Sequence, residues 1–145
     1  MAGFVLRKGH ADIEEWTISS LTLSAGDLLE MDVGAAAATE ADSSTLCYQR
    51  KGVCMEDATT SDTTVKVMVV DSEQEWEVES ANNSSSSDNG DAMVLTDKNT
   101  VNNTGTNSTA KEAVVIQIKP VGAAADAKIR VKFTSTSSGL THDAT

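Results

Sequence analysis

Most stretches of the chain that look ordered alternate apolar and polar residues, the period of two that turns one set of side chains toward a core and the other toward water. Ala127-Lys128-Ile129-Arg130-Val131-Lys132-Phe133-Thr134 is the clearest case, with Ile129, Val131 and Phe133 on one face and Lys128, Arg130 and Lys132 on the other. Thr64 to Val70 repeats the pattern, and in Glu75-Trp76-Glu77-Val78-Glu79 the apolar Trp76 and Val78 point inward between three carboxylates. Further strands are predicted at Phe4 to Arg7, Trp16 to Leu23, Asp27 to Val33, Ser44 to Arg50, Ala92 to Thr96 and Ala113 to Lys119, each bounded by Gly, Asn, Asp or Ser. Short, closely spaced strands rich in Val, Ile and Thr predict an all-β domain, a small antiparallel β-barrel or β-sandwich with exposed polar loops. Gly34 to Ala41 has a small-residue composition that suits a loop as well as one helical turn.

Two segments break the alternation. Ser80 to Gly90 and Val101 to Thr109 are runs of Ser, Asn, Thr and Gly, predicted as exposed loops that bracket a hairpin built from Ala92 to Thr100. Residues 1–12 are expected to form an N-terminal arm or first strand, residues 13–134 the barrel or sandwich, and residues 135–145 a mobile tail. A chain of 145 residues with 39% hydrophobic content fits one domain with one core. No apolar run approaches the roughly 20 residues of a membrane-spanning helix, so no membrane partner is expected. At the N-terminus Arg7 and Lys8 follow the apolar residues, the reverse of a secretory signal, and no targeting segment is expected.

Charge narrows the partners. The net charge is −11, which repels nucleic acid phosphates and anionic membranes, and a nucleic-acid partner is not expected. Its distribution is uneven: residues 1–10 carry +2, residues 11–97 carry −16, and residues 98–145 carry +3. A solvated acidic face accounts for this, and so does an orienting field toward a partner or between copies of the chain.

Residues able to do chemistry are few. Nucleophilic catalysis needs a base held beside a Ser, Thr or Cys, and the two histidines, His10 and His142, lie near the ends of the chain. Glu14-Glu15, Glu73-Gln74-Glu75 and Glu77/Glu79 alternate with apolar residues, as the water side of a strand does, and this reading outweighs a hydrolytic carboxylate pair. Cys47 and Cys54 have six residues between them; two partly buried thiols are expected ahead of a disulfide, and neither histidine has zinc-ligand spacing to them. Asp88-Asn89-Gly90-Asp91 offers oxygen ligands in a tight turn without the spacing of a helix-loop-helix calcium loop. No enzyme activity, metal or cofactor is therefore expected. Trp16 and Trp76 are the largest apolar anchors and are expected in the core.

Residues 64–134 resemble the small capsid decoration, or cement, proteins of tailed bacteriophages. The resemblance lies in the strand Val65 to Val70, the segment Glu73-Gln74-Glu75-Trp76-Glu77-Val78-Glu79, the run Gly90-Asp91-Ala92-Met93-Val94-Leu95-Thr96-Asp97 and the polar turn Thr100 to Thr104. It continues through Ala113 to Lys119, Val121-Gly122 and a closing strand Asp126 to Phe133. The early Ala25-Gly26-Asp27 turn is similar as well, while Lys119-Pro120-Val121-Gly122 departs from the pattern by a proline expected to stiffen the connection between the last two strands. The resemblance implies a β-barrel or sandwich subunit, commonly trimeric, on the outside of an icosahedral head, binding the major capsid protein where capsomers meet. On that basis the candidate contact residues are Phe4, Arg7, Lys8 and His10 at one end of the sequence and Lys128, Arg130 and Lys132 at the other, seated against an acidic capsid surface. A carbohydrate- or calcium-binding β-sandwich module of a virion fibre is the competing reading, motivated by the Asp88 turn and the polar loops.

Overall fold

The computed structural model describes residues 3–32, 34–82, 84–106, 113–121 and 127–134. Among these the chain forms eleven strands and one 3-10 turn: β1 Val5–Lys8, β2 Ile13–Thr17, β3 Leu28–Met31, β4 Thr39–Glu40, β5 Arg50–Cys54, β6 Thr64–Val69, β7 Glu75–Ser80, the turn Ser86–Asp88, β8 Ala92–Asp97, β9 Thr100–Thr106, β10 Val115–Val121 and β11 Lys128–Phe133. The all-β expectation holds. The strands divide into two sheets. The first runs β1-β7-β11-β10-β8-β9, and β9 also pairs in parallel with β7 through Glu79–Thr100 and Ser80–Val101, so five of its strands close into a ring with β1 outside. The second runs β2-β6-β5-β3-β4, and the Ala38 amide donates to the Thr17 carbonyl at 2.8 Å, tying the approach to β4 back toward β2.

Alternation within the strands fills two cores. Trp76, Val78, Ile129, Val131 and Phe133 turn into the first, where the Phe133 ring meets Trp76 edge-on at 6.2 Å and Phe4 at 5.3 Å. Trp16, Val65 and Val67 turn into the second, inside the curl of the other sheet. Strands β3 and β5 form the wall between them: Leu28 and Val53 face the first core, Leu29 and Cys54 the second, and all four are buried. A strand buried on both faces has no polar alternation to read. Both tryptophans are core residues, as expected, but the single core divides into two.

Several boundaries differ from the sequence-based expectation, each for a local reason. The strand expected at Trp16 to Leu23 ends at Thr17, because Ser20 takes a left-handed turn (φ 55°) and Leu23 keeps only an isolated bridge to Ala58. Ser44 to Arg50 is a loop, and the strand begins at Arg50. The Asp42 carboxylate accepts from the Ser44 amide at 2.8 Å, and the Gln49 side chain accepts from the Leu46 amide at 2.6 Å, local bonds that compete with a ladder. The Asp27 to Val33 strand shortens to Leu28–Met31, with Val33 outside the described residues. Within Gly34 to Ala41, whose composition suits a loop as well as one helical turn, Thr39–Glu40 instead forms a short strand paired with Leu29 and Glu30. Val101 to Thr106, expected as a loop, belongs to β9, with Val101 fully buried; two neighbouring strands supply a ladder that overrides the turn preference of Asn and Gly. Residues 107–109 and the tail 135–145 lie outside the described residues. Pro120 sits within β10 opposite Ile129, at a position where β8 no longer pairs on the other side, so its missing N–H is not needed.

One glycine contact fixes how the first strand enters the fold. Gly3 (φ 109°) lies where an added Cβ would come within 2.9 Å of the Gly26 backbone, and the next residue, Phe4, donates its amide to the Gly26 carbonyl at 2.8 Å.

Candidate functional site

The strand register gathers residues from both ends of the sequence onto one outer face. β7 lies between β1 and β11, with Val5 opposite Glu77 and Lys8 opposite Glu75 on one side, and Lys128 opposite Glu79 and Arg130 opposite Glu77 on the other. Because β11 turns Ile129, Val131 and Phe133 inward, its three cations point outward beside the glutamates of β7. Arg7 forms a two-pronged contact with Glu77, Nε at 3.3 Å and Nη2 at 3.2 Å. Glu75 receives Arg130 Nη1 at 3.2 Å and Lys8 Nζ at 3.7 Å. Lys132 is exposed, farther along β11 beside Ile116 of β10. His10 is exposed just beyond β1, with its imidazole 3.7 Å from Asp12.

Five of the candidate contact residues, Arg7, Lys8, Lys128, Arg130 and Lys132, therefore occupy one face, and three carboxylates neutralise part of their charge. The carboxylates lie low on this face, Glu77 12% and Glu75 24% exposed, while Arg7 and Lys8 remain 45% and 73% exposed, so the basic groups stand open to another charged surface. Phe4, expected at the contact surface, is instead 2% exposed and packs on Phe133; a chain with so few aromatic rings uses this one inside. Beside Arg7, Glu77 and Lys128 a shallow depression of about 320 Å³ is floored by Gly3, Val5 and Val78.

The functional groups the sequence did not reveal are buried polar ones. Gln74, 1% exposed, uses its whole amide: Nε2 donates to the carbonyls of His10 and Val69 at 3.0 Å, and Oε1 accepts from the Asp71 amide at 2.9 Å and from Trp76 Nε1 at 3.2 Å. Gln117, equally buried, donates to the Ser85 carbonyl at 2.9 Å and to Asn89 Oδ1 at 3.0 Å, and accepts from Ser84 Oγ at 2.5 Å, so it pins the polar segment before β8. In that segment the Asp88 carboxylate caps its own turn, accepting from the Ser85 amide at 3.1 Å. Among the described residues no group of three or more His, Cys, Asp or Glu side chains is placed to hold a metal ion.

Lys51 is buried, its ammonium donating to the carbonyls of Cys47 at 3.0 Å and Gln49 at 2.8 Å. Loss of water lowers its pKa to about 8, against the smaller opposing pull of Cys47 and Glu30. Cys47 and Cys54 are buried and no disulfide joins them. Burial, with Asp27 adding to it, pushes the Cys54 thiol up to about 12, which keeps it protonated and unreactive. Asp27 itself is 3% exposed, lies 3.8 Å from Lys98 Nζ and accepts from the Ser24 amide at 2.9 Å; Lys98 also bonds Glu40, so the β8–β9 turn is clipped to the second sheet.

Neither a protein-family model nor a curated protein matches the chain.

Proposed function

We propose that this protein is a decoration (cement) protein of a tailed-bacteriophage virion, made in the host bacterial cytoplasm and seated on the outer capsid surface at capsomer junctions. It acts there as a homotrimer that clamps neighbouring major capsid proteins without chemistry. The observation that carries the reading is the outward cation row of β1 and β11, five basic residues around three carboxylates on a molecule of net charge −11. Such a face steers and orients the subunit on an acidic capsid surface, while the remaining acidic exterior keeps particles apart. The strand order over residues 64–134 that underlies the resemblance supports the same reading. Each contact can be weak, because many identical contacts around a shell add through effective concentration.

Co-sedimentation with capsids assembled without the protein tests this. Saturable binding is expected, weakening at high salt as exposed charges are screened. The double reversal of Lys128→Glu and Lys132→Glu should lower affinity by about tenfold, roughly 1.4 kcal/mol. Protein that stays in the supernatant with matched capsids, together with its absence from the native particle by mass spectrometry, would remove the proposal.

A further inference from the structure

Along the outer edge of β1 the two sheets leave a groove. Among the described residues Val5–Lys8 pairs with β7 alone, so the backbone groups on its other edge are available to a further strand. The groove has a volume of about 360 Å³; Phe4, Val5 and Leu6 form one wall, Cys54, Met55 and Met68 the other, and Ala25-Gly26 closes one end. The strand register accounts for Met68 in that lining. Leu28, Val53, Met68 and Ile13 are successive cross-strand partners over β3, β5, β6 and β2, a single apolar row that begins in the first core and runs out to the surface. Leu28 and Val53 are fully buried, whereas Ile13 is 59% exposed and Met55, on the groove wall, 40%.

The charges at the two ends of the groove identify the strand that fits. One end carries Arg7 and Lys8 of β1. At the other end, where Phe4 meets Gly26, the Asp57 carboxylate accepts from the Ala25 amide at 2.9 Å, and Glu56 is its neighbour in sequence. Lys66 lies there too, its amide donating to Glu56 at 3.2 Å, but Glu15 is its cross-strand partner and that end stays net negative. An added strand with apolar residues followed by two cations fits in the antiparallel sense, which sets its cations beside Glu56 and Asp57; the parallel sense would set them beside Lys8. The chain's own Phe4-Val5-Leu6-Arg7-Lys8 has that composition. A two-fold axis between two copies would fill both grooves at once, each surface matching itself.

We propose that two copies of this chain associate by antiparallel pairing of their β1 edges, each placing Val5 and Leu6 against Met55 and Met68 of the other and Arg7 and Lys8 against its Glu56 and Asp57. The contact is two-fold, unlike the proposed threefold association, and it shares Arg7 and Lys8 with the cation row proposed to face the capsid. Sedimentation velocity over a concentration series tests it, using the full chain. Wild type should show a monomer–dimer equilibrium. Met55→Asp, at an exposed position, and Lys8→Glu should each raise the dissociation constant by about tenfold. The double variant Lys8→Glu/Glu56→Lys restores opposite charge across the axis and should return to within about threefold of wild type. Circular dichroism of each variant checks that it remains folded. A wild type that stays monomeric to about 100 µM, well above the dissociation constant of a modest specific interface, overturns the proposal. So does an assembly of any order whose affinity is indifferent to all three variants, or one weakened by Lys8→Glu that the second substitution fails to restore.

Discussion

Gln74 shows how one polar side chain can join separate segments. Its amide bonds the carbonyls before β2 and at the end of β6, the amide of Asp71 and the indole of Trp76. Removing it leaves the buried Trp76 indole N–H unpaired and breaks three further part-buried bonds, and the desolvation of an unpaired buried group costs more than a hydrogen bond contributes. Gln74→Ala is therefore expected to destabilise the fold by about 2–4 kcal/mol, read from the midpoint of urea unfolding at unchanged slope. Lys51 sets a different test. Its folded-state pKa of about 8 lies below the ordinary 10.5, so between those values the unfolded chain binds more protons at this site and the Lys51 contribution to stability rises with pH, while the Cys54 thiol, pushed up from 9.0 to about 12, contributes the opposite slope above pH 9. At 1.36 kcal/mol per unit the full Lys51 effect is roughly 3 kcal/mol, present as a cost below pH 8 and relieved by about pH 10.5. Lys51→Met should abolish this rise; identical slopes for the two proteins over pH 8 to 10.5 would show that Lys51 does not titrate in that range.

At the scale of elements, the partition of the core rests on β3 and β5. Gly52 of β5 pairs with Leu29 and Val69, and a Cβ placed on it would lie 2.9 Å from Val67 Cγ2 and 3.1 Å from Trp16 Cη2. The strand requires no side chain there, and the second core has no room for one. Gly52→Ala is expected to cost about 1–3 kcal/mol through overpacking and to shift the emission of Trp16. Nearby, Arg50 stacks over the same indole at 5.4 Å and bonds Glu14 at 2.7 Å; the Trp16 N–H and then the guanidinium hold the Glu14 carboxyl below its ordinary pKa.

For the whole molecule, two cores raise the question of two folding units. Each wall strand buries consecutive residues on opposite sides, Leu28 with Leu29 and Val53 with Cys54, and the Lys98 clip ties the sheets together. Neither core can lose its wall without opening the other. Variants with a single tryptophan, Trp16→Phe reporting on the first core and Trp76→Phe on the second, should each give a single denaturation transition, coincident with that variant's own circular dichroism. A fluorescence transition displaced from the backbone transition in either variant would mean that the cores unfold independently.

Alternation along residues 64–79 and 127–134 was enough to specify the all-β class, the inward faces of β6, β7 and β11, and the burial of both tryptophans, because a strand half in water carries its orientation in its own residue pattern. That information disappears where burial is two-sided or where neighbours impose the conformation. The wall strands β3 and β5, the Asn- and Thr-rich β9 and the buried amides of Gln74 and Gln117 therefore became visible only in three dimensions. The cation row had the same limit: Lys128, Arg130 and Lys132 were legible as one face, but their meeting with Arg7 and Lys8 across Glu75, Glu77 and Glu79 depends on β7 lying between β1 and β11. Residue order specifies which side of a strand meets water. Only tertiary pairing decides which strands are neighbours, because that choice depends on contacts between residues about fifty to seventy positions apart.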